Sequence, residues 1–236
     1  MIDWWLNINQ RILPAPVCVL CGDRGDAGLD LCHACRLDLP VIKVACERCA
    51  IPLPVTRHRG RLCGHCQTDP PAFEHCLAPF AYHAPLDHLL QDLKFNHRLT
   101  LARTLGRLMA RWLEDHTDDL PDRIMPVPLH PIRLRERGFN QSLELARPIS
   151  QRLKLPLDTH SCRRLRNTPP QAELPARQRH SNLKGAFAVR QKLEGRIAII
   201  DDVMTTGCTV QELAHTLRDA GAARVDVWVC ARAGRL

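Results

Sequence analysis

Four C-x-x-C pairs occupy the first third of the chain: Cys18/Cys21, Cys32/Cys35, Cys46/Cys49 and Cys63/Cys66, with gaps of ten, ten and thirteen residues between them. One C-x-x-C lets a tight turn aim two thiolates at a single ion, and two such turns complete the tetrahedron that structural zinc prefers. Four pairs therefore make two sites. The stretch 18–66 is rich in Pro, Gly and Arg and poor in large apolar residues, so it cannot bury a core of its own. Zinc must then supply the folding free energy, about 10–16 kcal/mol per site near neutral pH. Disulfides are the competing reading, but nothing in the chain suggests export, and thiols of the cytosol stay reduced. Sequential pairing puts Cys18, Cys21, Cys32 and Cys35 on one ion and Cys46, Cys49, Cys63 and Cys66 on the other; interleaved pairing stays open. His33 and His65 lie inside the turns and are read as bystanders. Both sites are closed, which points to structure rather than catalysis.

The remainder is a different kind of polymer. No apolar run approaches the roughly 20 residues of a membrane-spanning helix, and the start, "MIDWWLNINQRILPAPV", lacks the basic opening and long apolar centre of a signal peptide. The expected compartment is the cytoplasm. Trp4, Trp5, Ile8 and Ile12 are expected to form a short helix face packed on the body. Residues 1–77 are read as the ribbon module with its N-terminal segment, and 78–236 as a second domain. Helical spacing marks 85–95 and 98–116, "RIMPVPLHPI" reads as a short strand ending in a proline-broken loop, and 142–154 reads as a helix. The stretch 162–184 has no clean period and is read as a mobile basic loop. Charge is uneven: residues 130–185 carry twelve Lys and Arg against four Asp and Glu, an excess equal to the +8 of the whole chain. Such a local surface suits an anionic partner. Cys76, Cys162, Cys208 and Cys230 are unpaired and are read as small buried residues.

Near the C-terminus, "RIAII" predicts a strand, "VQELAHTLRDA" a helix with Gly221 as its stop, and "RVDVWVCA" a second strand. Strand, loop, helix and strand make a βαβ unit with parallel neighbours. In such sheets ligands bind beyond the carboxyl ends of strands, where the stretch "IAIIDDVMTTGCT" places Asp201, Asp202 and the loop 203–209. The loop opens a helix whose free N–H groups suit a phosphate. Gly207 permits close backbone approach, and Thr205, Thr206 and Thr209 add hydroxyls. No G-x-x-x-x-G-K is present, so this is not a nucleotide-triphosphate loop, and no Ser-His-Asp pattern or H-E-x-x-H supports a hydrolase. Carboxylates repel phosphate, so the acids are expected to face another part of the same ligand. A sugar phosphate fits, with its phosphate in the loop and its diol on the acids.

This stretch closely resembles the 5-phosphoribosyl 1-diphosphate (PRPP) signature of type I phosphoribosyltransferases. The resemblance implies that Asp201 and Asp202 hold the ribose hydroxyls, while Val203, Met204, Thr205, Thr206, Gly207, Cys208 and Thr209 wrap the 5′-phosphate. Together with "PVPLH" at 126–130, "RERGFNQS" at 135–142, "RQRHSNLKGAF" at 177–187 and the C-x-x-C pairs, it resembles the ComF family over nearly the whole chain. That family is linked to uptake or use of extracellular DNA. Its resemblance implies a type I phosphoribosyltransferase-like parallel sheet flanked by helices behind a small zinc-ribbon module, here in a double-ribbon version. Two structural zinc ions, and Mg²⁺ bound with PRPP, are the implied cofactors. Transfer from PRPP needs fixed positive groups at the departing pyrophosphate. Arg137 is the first choice, as a catalytic residue beside Asp201 and Asp202, with Asn140 and Gln141 as polar support. Arg133, Arg135, Lys94 and Arg177 are weaker candidates. The expected activity is transfer or hydrolysis of the phosphoribosyl group. The alternative is a non-catalytic protein that holds single-stranded DNA on its ribbons and basic stretch, among other competence proteins. With one Tyr and five Phe in the chain, few aromatic faces are available for base stacking, and such binding is mainly electrostatic.

Overall fold

The computed structural model describes residues 16–26, 28–54, 62–168 and 183–234. The chain forms two compact units, residues 1–39 and 40–236. The segment with Trp4, Trp5, Ile8 and Ile12, and the candidate Arg177, lie outside the described residues.

Among the described residues of the smaller unit, an antiparallel bridge joins Val17 and Arg24 and a short helix, α1, spans His33–Leu37. Among its described residues the buried apolar ones are Cys18, Leu29, Leu31 and Leu39. The larger unit opens with the second C-x-x-C set, where Ala45 bridges Pro52 and α2 (Gly64–Thr68) follows Cys63.

Beyond it lies a parallel sheet. Strands β1 (Cys76–Leu77) and β2 (Phe80–Ala81) pair in succession along one edge of β7 (Arg224–Arg232). On its other edge β7 pairs with β6 (Arg196–Met204), and β6 pairs with β3 (Arg123–Pro126). Ile197, Ala198, Ile199 and Ile200 are all fully buried, as befits a strand covered on both faces. Helix α7 (Cys208–Asp219) supplies one cover: its Val210, Leu213, Ala214 and Leu217 join Ile197, Ile199, Val225 and Val227 in one cluster. Successive strand residues point to opposite faces, so Ala198 and Ile200 face the other way, towards α3 (Leu86–Phe95), α4 (Leu99–His116) and α6 (Gln141–Leu153). Leu90, Leu93, Leu101, Leu105, Met109, Leu145 and Ile149 are buried among those helices. Helices α4 and α6 meet so closely that a Cβ on Gly106 would sit 2.7 Å from the Leu145 carbonyl oxygen. The βαβ unit is as expected: β6 and β7 are parallel neighbours, and Gly221 follows α7 at φ +107°. Cys76, Cys162, Cys208 and Cys230 are all buried. Among the described residues no helix is long and apolar enough to cross a membrane.

Three expectations need correction. Strand β6 does not stop before the acids; it runs to Met204, because β7 continues to Arg232 and gives it a partner that far. The segment after β3 is not simply a loop. It forms α5 (Pro131–Arg137), opened by His130, whose ring nitrogen accepts from the Ile132 N–H, and closed by Gly138 at φ +75°. Proline at a first helical position and glycine just past the end are the signals that carry this. The basic stretch 162–184 begins as a strand, β4 (Cys162–Arg164), antiparallel to β5 (Phe187–Val189). Residues 169–182 of that stretch lie outside the described residues.

Candidate functional site

The cysteines gather as two sets, Cys18/Cys21/Cys32/Cys35 and Cys46/Cys49/Cys63/Cys66, each with all four Sγ atoms within 4.8 Å of one another. This is the sequential grouping. A tetrahedral Zn–S distance near 2.3 Å separates neighbouring sulfurs by about 3.8 Å. Cys21 and Cys32 Sγ lie 3.6 Å apart, and Cys49 and Cys63 Sγ 3.7 Å apart, so both sets fit the ion. None of these thiols is in a disulfide. The two sites repeat one plan. The first pair of each forms a turn whose next residue is left-handed, Gly22 at φ +82° and Ala50 at φ +56°. The second pair opens a short helix, with Cys32 Sγ accepting from the Cys35 N–H and Cys63 Sγ from the Cys66 N–H, at 3.4 and 3.5 Å. N–H donors of this kind fix the orientation of thiolate ligands.

A separate cluster, of acids, lies at the carboxyl edge of the sheet. Asp202 is buried, with 3 % of its surface exposed; its Oδ1 accepts from the Val203 N–H at 2.9 Å and its Oδ2 lies 2.6 Å from Lys94 Nζ. Lys94 comes from the last turn of α3. Burial alone would lower its pKa, but the Asp202 and Asp201 carboxylates outweigh burial and hold it above the usual lysine value. Asp201 Oδ1 accepts from the Ser142 hydroxyl at 2.8 Å and from the Asp202 N–H at 3.0 Å. Burial of its carboxyl, then the charge of Asp202, push the Asp201 pKa up to about 7 against the opposing pull of Lys94 and Ser142. Lys94, one of the weaker pyrophosphate candidates, is paired with Asp202 in this structure.

After Met204, Thr205 and Thr206 are exposed, Gly207 stands at φ +84°, and α7 begins at Cys208. A Cβ at Gly207 would meet nothing nearer than Met204 Sδ at 3.7 Å, so the left-handed backbone, rather than crowding, calls for glycine there. The Thr206 hydroxyl lies 3.2 Å from Cys208 Sγ, and Val203 and Thr209 are partly exposed beside it.

"RGFNQS" reads, residue by residue, as a bracket between α5 and α6. Arg137 Nη1 donates to Gln141 Oε1 at 2.7 Å, Gly138 ends α5, and Phe139 is buried. Asn140 caps α6 through Oδ1 and holds the end of β3 through an Nδ2 bond to the Val127 carbonyl at 3.0 Å. Asn140 and Gln141 are thus framework for Arg137 and Ser142. Arg133 pairs with Glu136 at 3.2 Å, and Arg135 is exposed. Two side chains, Ser142 and Arg232, escaped the sequence reading, and a third, Arg164, gave only its charge. Ser142 lay inside a quoted motif without a role. Arg164, stacked 5.6 Å from the Phe187 ring centre, has its pKa lowered by burial, with the Asp201 charge opposing and Arg133 adding to the effect. Arg232 lies under the loop, where its guanidinium donates to the Met204 carbonyl at 3.0 Å and its Nε to the Cys49 carbonyl at 2.8 Å. No local signal marks Arg232, because Cys49, Met204 and Thr205 lie far from it in sequence.

Two four-cysteine ribbons ahead of a parallel α/β domain, with acids at the carboxyl end of an inner strand, define a zinc-ribbon protein with a parallel α/β domain. A model of the double zinc ribbon domain matches residues 8–67. The chain is 38% identical over 207 residues to the DNA utilization protein YhgH of Escherichia coli K12, covering 86% of this chain and 90% of that one. It is 32% identical over 225 residues to competence protein F of Haemophilus influenzae, covering 92% and 96%. The chain belongs to this ComF family of DNA-utilization and competence proteins. Among solved structures, a purine phosphoribosyltransferase from Pyrococcus horikoshii aligns over 56% of this chain and 81% of its own, with 14% identity and a TM-score of 0.34.

Proposed function

We propose that the chain binds PRPP with Mg²⁺ at the carboxyl end of β6 and transfers or hydrolyses its phosphoribosyl group. The observation that carries this reading is the placement of Asp201 and Asp202 on the last residues of a parallel strand that leads, through Gly207, straight into the N-terminus of α7. Helix N–H groups at 205–209 attract the phosphate. The acids accept hydrogen bonds from the diol. Lys94 answers the electrostatic objection: at 2.6 Å from Asp202 it offsets one carboxylate charge beside an anion. Asp201 and Asp202 offer the hard oxygen donors that Mg²⁺ favours, and the ion would stabilise charge on the departing pyrophosphate. Arg137 is the side chain assigned to that leaving group, with Arg133 and Arg135 on the same helix and Arg164 within electrostatic reach of Asp201. The test is thermal unfolding with Mg²⁺ and PRPP together. Ligand at about 100 times its Kd should add about 2.7 kcal/mol of stability; an unmoved transition at millimolar PRPP refutes the reading.

A second reading concerns DNA, which the names of the relatives invoke. Arg135, Lys154, Arg163 and Lys184 are exposed in the basic stretch, and we infer that single-stranded DNA would be met there through its phosphates. Log K should then fall with log salt at a slope of about −0.7 per phosphate contact. Arg163→Ala with Lys184→Ala should flatten the slope by about 1.4 on the same scale. An unchanged slope would remove DNA from this surface.

A further inference from the structure

We propose that Arg232 couples the second zinc ribbon to the loop 203–209, so that metal in the Cys46/Cys49/Cys63/Cys66 site holds the loop in its binding shape. The inference rests on the sugar-phosphate reading only for what the loop binds. A loop that turns its N–H groups outward to an anion turns carbonyls inward, and buried carbonyls need donors. Arg232, the last residue of β7 and only 6 % exposed, supplies them. Its Nη1 donates to the carbonyls of Met204, Thr205 and Ala233, the first at 3.0 Å and the second at 2.5 Å. Its Nε donates to the carbonyl of Cys49, a ligand of the second site, at 2.8 Å. One buried cation therefore spans from a metal ligand to the two residues that begin the loop. The same elements meet again nearby: Ala72 N–H donates to Gln211 Oε1 on α7 at 2.9 Å, and Cys49, Cys63, Phe73, Met204, Gly207 and Arg232 line a shared cavity of about 150 Å³.

The partners of this guanidinium are backbone carbonyls on two separate segments. A planar fork can serve both at once, whereas a lysine ammonium is a single point and cannot. Its positive charge also lies directly beneath the loop, where it favours an anion. Arg232 is thus a positioning residue, and it makes ribbon and loop one thermodynamic unit. By linkage, whatever tightens one end tightens the other.

The test is hydrogen exchange in the ligand-free, zinc-loaded chain, comparing wild type with Arg232→Lys. The Ala233 amide, which donates to the Met204 carbonyl, and the Gln211 amide, which donates to the Gly207 carbonyl, are expected to exchange about tenfold faster in the variant, the worth of one net hydrogen bond, while those of 197–200 stay protected. Zinc captured by a coloured chelator should leave the second site faster and the first site at an unchanged rate, the two being distinguished with Cys21→Ser. Should the variant not fold, stripping zinc from wild type gives the same readout: loop exchange must rise as the second site empties, followed by native mass spectrometry. Unchanged exchange at Gln211 and Ala233 on zinc loss or in a folded Arg232→Lys protein overturns the coupling. Altered exchange in a protein that binds no PRPP would sink the sugar-phosphate reading and leave the coupling standing.

Discussion

Asp202→Asn is expected to destabilise the protein by about 3 kcal/mol at pH 8, whereas Asp201→Asn, one residue away, leaves stability unchanged or raises it. Removing one partner of a buried ion pair strands the other, at a cost of about 3–5 kcal/mol. The lower end applies because the Lys94 side chain retains 23 % exposure. Asp201 behaves oppositely. Its carboxyl is pushed up to about 7 by burial and by the charge of Asp202, while an unfolded aspartate titrates near 3.9. Between those values the native state holds a proton that the unfolded chain has lost, so stability from this group is full below about pH 4 and is lost as pH rises through 7. Asparagine at 201 removes that loss. Urea unfolding at pH 5 and pH 8 separates the cases; equal losses for both variants at pH 8 would show that Lys94 does not single out Asp202.

The second large effect is expected from zinc. Metal analysis under reducing conditions should find two ions per chain. Chelation should then unfold residues 16–39 completely while the sheet keeps its own cooperative transition. Among its described residues the smaller unit has three buried leucines, Leu29, Leu31 and Leu39, and a five-residue helix with no buried side chain. Against that, a structural ion contributes about 10–16 kcal/mol. The second ribbon has other anchors. Ile42 N–H donates to the Pro79 carbonyl at 2.9 Å, Val41 bridges Phe80, and Arg232 holds Cys49. Its backbone should therefore lose only part of its protection. Amides of 18–35 that stay protected after both ions are gone would contradict this account.

How far the sequence carried depends on the range of each interaction. The two four-cysteine sets and the βαβ unit were legible because C-x-x-C spacing and hydrophobic period are local. The end of β6 was not: "IAII" runs into two acids, and only the reach of β7 to Arg232 keeps the ladder going to Met204. Helix α5 carried Pro131 and Gly138 as start and stop, but "PVPLHP" around them reads as a breaker-rich loop. Lys94, in the last turn of an amphipathic helix, reads in sequence as a candidate for an anion and not as a partner of the acids. Its meeting with Asp202, far along the chain, is a product of packing α3 against the sheet edge. Arg232, at the end of an apolar strand, gives no sign that it serves the carbonyls of Cys49, Met204, Thr205 and Ala233.

The central claim is that Asp201, Asp202 and the loop 203–209 form a sugar-phosphate site. Calorimetric titration of PRPP with Mg²⁺ into wild type and Asp201→Asn tests it most directly, since that variant is expected to fold. Wild type should bind one PRPP per chain. The variant should bind at least tenfold more weakly, because a hydrogen bond to a charged group is worth about 1.5–3 kcal/mol. No heat with wild type, or equal affinity for a folded Asp201→Asn protein, would contradict the account.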